Sequence, residues 1–347
     1  MSKIAFITDT HFGARNDSPL FVEYFLSFLE GQFFPYLKAN NIKTIVHLGD
    51  LMDRRKFVNF FVLSQVKTRF MEYLKNNNIE FHCIIGNHDT FFKNTNDLNS
   101  VKELFGHNGI YIYDKPTCKT IEGFDFAIVP WINKENEKEC LNFIKTAKAD
   151  ICLGHFELYG YEIMRGIPHE DGMDPNLLAR YEMVLSGHFH VKHSKDNVHY
   201  LGTPYQITFN DLGQKKGFYV FDTETRNLEF IENERKLFYT IRYNDIDYDM
   251  LTLDFERYRN CFIRVIVEKK TNKLMFDEYI NKLNSVEVSE LNIIESFGET
   301  KQEQVDIDTT KDTLSIINDE IDHMEEVPNK NKLKSIIHTL YLESLSQ

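Results

Sequence analysis

Six short apolar runs, five of them leading into Gly, Asn, Asp or His, limit this chain more than any other feature. They are "KIAFITD" (3–9), "TIVHLGD" (44–50), "FHCIIGN" (81–87), "FAIVPW" (126–131), "DICLGHF" (150–156) and "EMVLSGH" (182–188). Each reads as a short buried strand that ends abruptly in polar residues. Between several of them lie amphipathic stretches. Phe21, Phe25 and Leu29 recur at helical spacing, as do Val62, Val66, Phe70 and Leu74, and 135–148 also looks helical. Strands alternating with helices imply a layered α/β architecture that binds ligands outside its strand ends.

After residue 198 the pattern changes. "VHYLGTP", "GFYVFDTET", "NLEFIENE" and "YTIRY" read as successive strands joined by turns. "CFIRVIVEK" (261–269), a helical 272–284 and "VSELNIIES" (288–296) suggest a small β-α-β module. The polar stretch 298–312 reads as a linker. Two amphipathic helical patterns follow, one carrying Leu314, Ile317, Ile321 and Met324, the other, beyond Pro328, carrying Leu333, Ile336, Ile337, Leu340 and Tyr341.

Composition bounds the function. At 347 residues and 42% hydrophobic, the chain can bury one large core and a smaller one. It opens without a signal peptide, and no apolar run reaches the ~20 residues of a bilayer span. Cys83, Cys118, Cys140, Cys152 and Cys261 are scattered without CxxC spacing. That fits buried thiols in a reducing cytoplasm and argues against a cysteine zinc site. The net charge of −13 is segregated: thirteen acidic and two basic residues lie between Glu287 and Glu326. The rest of the chain is nearly neutral, so a nucleic-acid substrate stays open.

The polar residues at the strand ends carry the chemistry. They are Asp9 and His11, then Asp50 and Asp53, then Asn87, His88 and Asp89, then His155, and finally His188 and His190. Along an extended chain, residues at i and i+2 point to one side, so His188 and His190 can reach one small volume. A carboxylate between two cations can bridge them, and a metal pair ~3.5–4 Å apart can hold both oxygens of a phosphoryl displacement. Mixed nitrogen and oxygen donors without thiolate suit Mn²⁺, Fe or Zn²⁺. His47, His82, His107, His169, His193 and His199 read as ordinary histidines.

The series DxH, GDxxD, GNHD, GH and GHxH resembles the calcineurin-like metallophosphoesterase superfamily. Within it, "GDLMDRRK", "GNHDTFFKN", "VPWINKEN", "GHFELYG", "SGHFH" and "YLGTPYQ" resemble the double-strand-break repair nuclease branch, the SbcD and meiotic-recombination-eleven nucleases. The compact length is nearest the T-even phage recombination endonuclease members. The resemblance implies an α/β fold: a layered metallophosphoesterase β-sandwich flanked by helices over 1–235, a β-α-β capping domain that selects DNA over 236–297, the linker, and a partner-docking helical segment over 313–347. It implies two divalent ions, Mn²⁺ first and Mg²⁺ as the other choice. Asp9, His11, Asp50 and His190 would bind one, and Asp50, Asn87, His155 and His188 the other. His88 would face the scissile phosphate as proton donor or transition-state stabiliser, with Asp89 orienting its ring. Asp53, where archaeal and eukaryotic members of the branch tend to carry His and the bacterial and phage members Asp, reads as a helix cap or fold support.

The implied activity is a DNA exonuclease or endonuclease that processes ends in recombination and repair. It would act as a homodimer within a heterotetramer, docked through the C-terminal helices to an SMC-like coiled-coil ATPase, in a bacterial or phage-infected cytoplasm. Phe92 and Lys93 could contact DNA or belong to a packed loop, and Arg54 and Arg55 could face phosphate or solvent. A metal-dependent phosphomonoesterase and a metal-free scaffold of the same fold are the alternatives.

Overall fold

The computed structural model describes residues 2–106, 109–244 and 253–295, and beyond them Ile321, Lys330, Leu333, Lys334 and Ile337. The expected linker 298–312 lies outside the described residues, as do most of the two helical patterns after it. His107 also lies outside them.

All six apolar runs form strands, and they divide between two six-stranded sheets. The first sheet is ordered Leu228–Glu232, Gly217–Asp222, Lys3–Ile7, Thr44–His47, Glu80–Ile84, Tyr111–Tyr113. The second is ordered His193–Lys195, Val198–Tyr200, Met183–Ser186, Ile151–Gly154, Phe124–Val129, Thr117–Ile121. The central strands are parallel in each, with antiparallel strands toward the edges. Parallel strands need both faces covered, which is why these runs are apolar throughout and do not alternate with polar residues.

Side-chain alternation then sorts each strand between two cores. Ile4, Phe6, Val46, Phe126, Ile128, Leu153 and Leu185 fill the space between the sheets. Ala5, Ile7, Ile45 and Cys83 face the opposite way, onto helices carrying Phe25, Leu29, Val66 and Phe70. On the outside of the second sheet, Ala127, Cys152 and Val184 pack with Cys140 and Ile144 of the Glu137–Thr146 helix. The result is a helix, sheet, sheet, helix sandwich.

The first helical stretch starts with Pro19 in its first turn and ends at Ala39, interrupted by a π-turn over Leu29–Phe33. Pro35 has no N–H to give, and the looser turn before it accommodates that loss while keeping Phe33, Phe34 and Leu37 buried.

The small sheet joins Phe238–Asn244, Phe262–Lys269 and Glu290–Glu295, with the Lys273–Ser285 helix contributing Phe276, Tyr279 and Leu283 to its own core. Leu237 and Phe238, however, are buried in the helix-side core of the sandwich. There Phe238 packs with its ring centre 6.2 Å from Phe21 and 4.7 Å from Phe209.

Candidate metal centre

The loops that leave the ends of the central strands converge. Asp9 N donates to the Gly49 carbonyl at 3.0 Å and His11 N to the Asp50 carbonyl at 3.1 Å, which ties the first two loops together. Asp9, His11, Asp50 and His188 all hold positive φ, at 49°, 43°, 55° and 86°. Such backbone is costly for residues other than glycine and persists only where the surroundings enforce it. Two glycines create the room. A Cβ on Gly86 would strike the Asp50 carboxylate and amide, and one on Gly49, itself at φ 105°, would strike His155 Nδ1.

Two groups of donor atoms result. In one, Asn87 Oδ1 lies 3.0 Å from His155 Nε2 and 2.9 Å from His188 Nδ1, while Asp50 Oδ2 lies 3.3 Å from His155 Nε2. In the other, His11 Nε2 lies 3.0 Å from His190 Nε2, 4.0 Å from Asp9 Oδ1 and 3.8 Å from Asp50 Oδ2. Asp50 therefore touches both groups through the same oxygen. All seven residues proposed as ligands meet here, four from the first sheet and three from the second.

The residues fit divalent ions. Two imidazole nitrogens facing each other at 3.0 Å can share one proton, and a divalent ion could take that proton's place between them. The donor set is imidazole, carboxylate and amide oxygen, suited to borderline and hard cations. Electrostatics point the same way. Burial raises Asp9, and the neighbouring Asp50 charge adds to it. Burial opposes the charged form of both His155 and His11, yet each rises to about 9, His155 through the Asp50 carboxylate and His11 first through its contact with Asp53 and then through Asp50. These histidines hold protons to neutralise carboxylates, a task a metal ion would take over.

The supporting contacts were less legible. His155 Nδ1 donates to the Leu48 carbonyl at 2.7 Å, which aims Nε2 at Asp50. Asp53 faces His11: its Oδ1 lies 3.2 Å from His11 Nδ1, so it positions that imidazole from behind. Buried Lys216 forms a 2.6 Å ion pair with Asp211 and donates to the His190 carbonyl at 2.8 Å. Glu157 sits between His169, at 3.1 Å, and His188, at 4.0 Å, and these imidazoles hold its carboxyl far below the usual range. Lys216 belongs to no strand-end motif, whereas Glu157 stands two residues after His155 within "GHFELYG", a spacing that could have singled it out.

Asp89 departs from expectation. It does not orient the His88 ring. Its carboxylate accepts from four backbone amides: Asp50 (2.8 Å), Leu51 (3.0 Å), Met52 (3.2 Å) and Gly86 (3.0 Å). Burial and the Asp50 charge push it up to about 7, while amide hydrogen bonds from Gly86 and Met52 pull the other way. The reason is geometric. Asp89 turns inward beneath the Asp50 loop, where unpaired amides await an acceptor, whereas His88 turns outward. The His88 ring is held instead by the Asp53 carbonyl, 2.6 Å from Nδ1, and its backbone N–H donates to Asp50 Oδ1 at 2.7 Å. Burial lowers the His88 pKa.

Of the other expected contacts, Arg54 is engaged by Asp17 at 3.3 Å and by Asn16, because the 14–17 turn brings both under its guanidinium. Arg55 differs: its Nη1 is buried without a hydrogen-bond partner among the described residues. Phe92 is 50% exposed, Lys93 is exposed, and their loop is closed at its base by Phe91 N on the Leu98 carbonyl. Trp131 follows the fourth apolar run. That run's end supplies no ligand, but the indole lies 5.1 Å from the His188 ring and 6.0 Å from His155, centre to centre.

Asp53→Asn tests the positioning contact. Loss of an outer carboxylate partner weakens metal binding about 10–100-fold, so titration of metal-free protein should show one ion of two loosened. Unchanged affinity for both ions would remove Asp53 from the site.

Comparison with known proteins bears on this geometry. A family model described as calcineurin-like phosphoesterase matches residues 2–192. The chain is 34% identical to "Exonuclease subunit 1" of Enterobacteria phage T4 over 284 residues, covering 81% of each chain. It is 24% identical to "DNA double-strand break repair protein Mre11" of Nanoarchaeum equitans (strain Kin4-M) over 198 residues, covering 50% of this chain and 53% of that protein. The family match spans every one of the candidate ligands, from Asp9 to His190. The two donor groups at the strand ends thus lie within the matched region, and the chain belongs to the calcineurin-like phosphoesterases.

Proposed function

We propose that this chain is a metal-dependent DNA phosphodiesterase that trims or nicks DNA ends during recombination and repair. The observation that carries the reading is the pair of donor groups joined through Asp50. Asp9, His11, Asp50 and His190 would hold one divalent ion, and Asp50, Asn87, His155 and His188 the other, Mn²⁺ or Mg²⁺ being the ions of choice. Such ions supply Lewis acidity to the phosphate and lower the pKa of water. The chain's own groups do the rest. With Nδ1 fixed by the Asp53 carbonyl, His88 keeps Nε2 to carry a proton to the leaving oxygen. The unpartnered Arg55 Nη1 offers a charge-assisted donor to a phosphate oxygen. Phe92 and Lys93, at an exposed loop, supply a stacking surface and a backbone contact. The similarity to a phage exonuclease subunit supports DNA over a phosphomonoester as substrate.

The test is direct. Purified protein with Mn²⁺ or Mg²⁺ should cleave linear duplex or single-stranded DNA, lose that activity in chelator, and turn over 4-nitrophenyl phosphate poorly. Brisk monoester turnover without DNA cleavage would favour a phosphatase instead.

Partners follow from the surface. Phe57 and Phe60 are 72% and 86% exposed, with Phe61 exposed beside them. Three aromatics so placed are a large apolar surface for water to cover, and a second copy of the chain is the proposed occupant. Among the described residues no helix is long and apolar enough to cross a membrane, and a cytoplasmic site of action is part of the proposal. Sedimentation should show a dimer that becomes a monomer in Phe57→Glu/Phe60→Glu. A monomeric wild-type chain would refute this. The acidic amphipathic C-terminal segment is the proposed dock for an SMC-like ATPase subunit.

A further inference from the structure

His155 and Glu157 also line a cavity of about 360 Å³ that the chemistry above does not use. Its walls are apolar, formed by Trp131, Leu141, Met173 and Leu177 among others. Its polar lining residues are His155, Glu137, Glu157 and Asp174, three of them acidic, and no lysine or arginine is among its described lining residues. A phosphate would be repelled here. A neutral, flat ring with amino donors would not be, since carboxylates accept from the exocyclic amines of bases, as Glu and Asp do from cytosine N4. The volume lies at the small end of the ~300–1,000 Å³ typical of ligand pockets, enough for a nucleobase with part of its sugar. Trp131 supplies the stacking face, and the same indole lies 5.1 Å from the His188 ring, beside the metal-binding donors.

We propose that this cavity receives an unpaired nucleobase of the DNA strand being cut, stacked on Trp131, so that the adjoining backbone phosphate is delivered to the metal centre. The inference rests on the nuclease reading and adds a substrate requirement to it. A base paired within a duplex cannot enter a concave pocket of this kind without leaving the stack. Cleavage is therefore directed to frayed ends, overhangs and single strands.

Trp131 is the chain's only tryptophan, so its fluorescence reports on the cavity alone. The full-length protein with Mn²⁺ is titrated with a short single-stranded phosphorothioate oligonucleotide, and with the same backbone carrying abasic sugars throughout. The base-bearing strand should quench Trp131 saturably and bind roughly ten- to a hundredfold tighter, the usual worth of stacking a base on an aromatic side chain. Followed by anisotropy of labelled strands, Trp131→Phe should keep the preference for bases and Trp131→Ala should cut it sharply, to what stacking on Phe92 supplies. Equal affinity for the two strands without base-dependent quenching, or an undiminished preference in Trp131→Ala, overturns the assignment. A parallel cleavage assay on ordinary oligonucleotides separates the two claims. If DNA is cut while the base preference is absent, only the cavity assignment falls. If no DNA is cut with either Mn²⁺ or Mg²⁺, the nuclease reading falls and takes the cavity's role with it.

Discussion

His88→Asn should retain both metal ions and DNA binding while cleavage falls by on the order of 10²–10⁴-fold, the usual worth of a positioned acid or base. The expectation comes from how the residue is held. Its backbone N–H, which the substitution keeps, donates to Asp50 Oδ1 at 2.7 Å, so Asp50 should stay in place. Its ring is oriented by a carbonyl on Nδ1 and stands nearly perpendicular to the His11 ring, 4.8 Å between centres. Asparagine fills the space but cannot take up and release a proton near neutral pH. A contrary outcome is well defined, because His11, Asp53 and His88 also bring donor atoms within 4.8 Å of one another. Elemental analysis showing one ion lost from His88→Asn would make the ring a ligand and end its role as a proton carrier.

The second large effect is on the fold itself. Asp89→Ala removes the acceptor of four backbone amides, and no water can replace it fully, since Asp89 is completely buried. Each buried donor left unpaired costs about 1–3 kcal/mol, with less than full additivity, so a loss of about 3–5 kcal/mol is expected. The damage centres on the Asp50 loop, and metal binding should fail along with stability. Asp89→Asn should be little better, because its NH₂ group would face amide donors. Had Asp89 served to orient His88, its removal would slow catalysis and leave the melting transition alone. A melting temperature unchanged from wild type would restore that earlier role.

The seven candidate ligands could be picked out of the sequence because each follows a buried apolar strand, and strand ends are where α/β sheets collect functional groups. Val62, Val66, Phe70 and Leu74 were legible for a similar reason: their period is that of a helix, and all four are buried on one face. What the sequence concealed is the direction in which a side chain turns. Asp89 and His88 are neighbours, and only the fold shows that one serves the protein's amides and the other faces the His11 side. Asp53 looked like a cap, yet it supports His11, a contact that depends on two loops crossing. Lys216 is remote in sequence from every strand-end motif and reaches the His190 carbonyl from the start of the Gly217–Asp222 strand. The small sheet had a recognisable pattern, but nothing in it announced that Phe238 would be buried with Phe21 in the core of the larger unit.

The donor groups draw on both sheets at once: Asp9, His11, Asp50 and Asn87 come from one, His155, His188 and His190 from the other. An ion held this way fastens one half of the sandwich to the other, so occupancy becomes a term in the folding equilibrium as well as in catalysis. Each tenfold rise in free metal above its dissociation constant adds about 1.4 kcal/mol per ion to the stability of the closed sandwich. With both sites as proposed, the protein's resistance to unfolding would be indexed to the metal supply of its surroundings, and a starved molecule would be both inactive and short-lived.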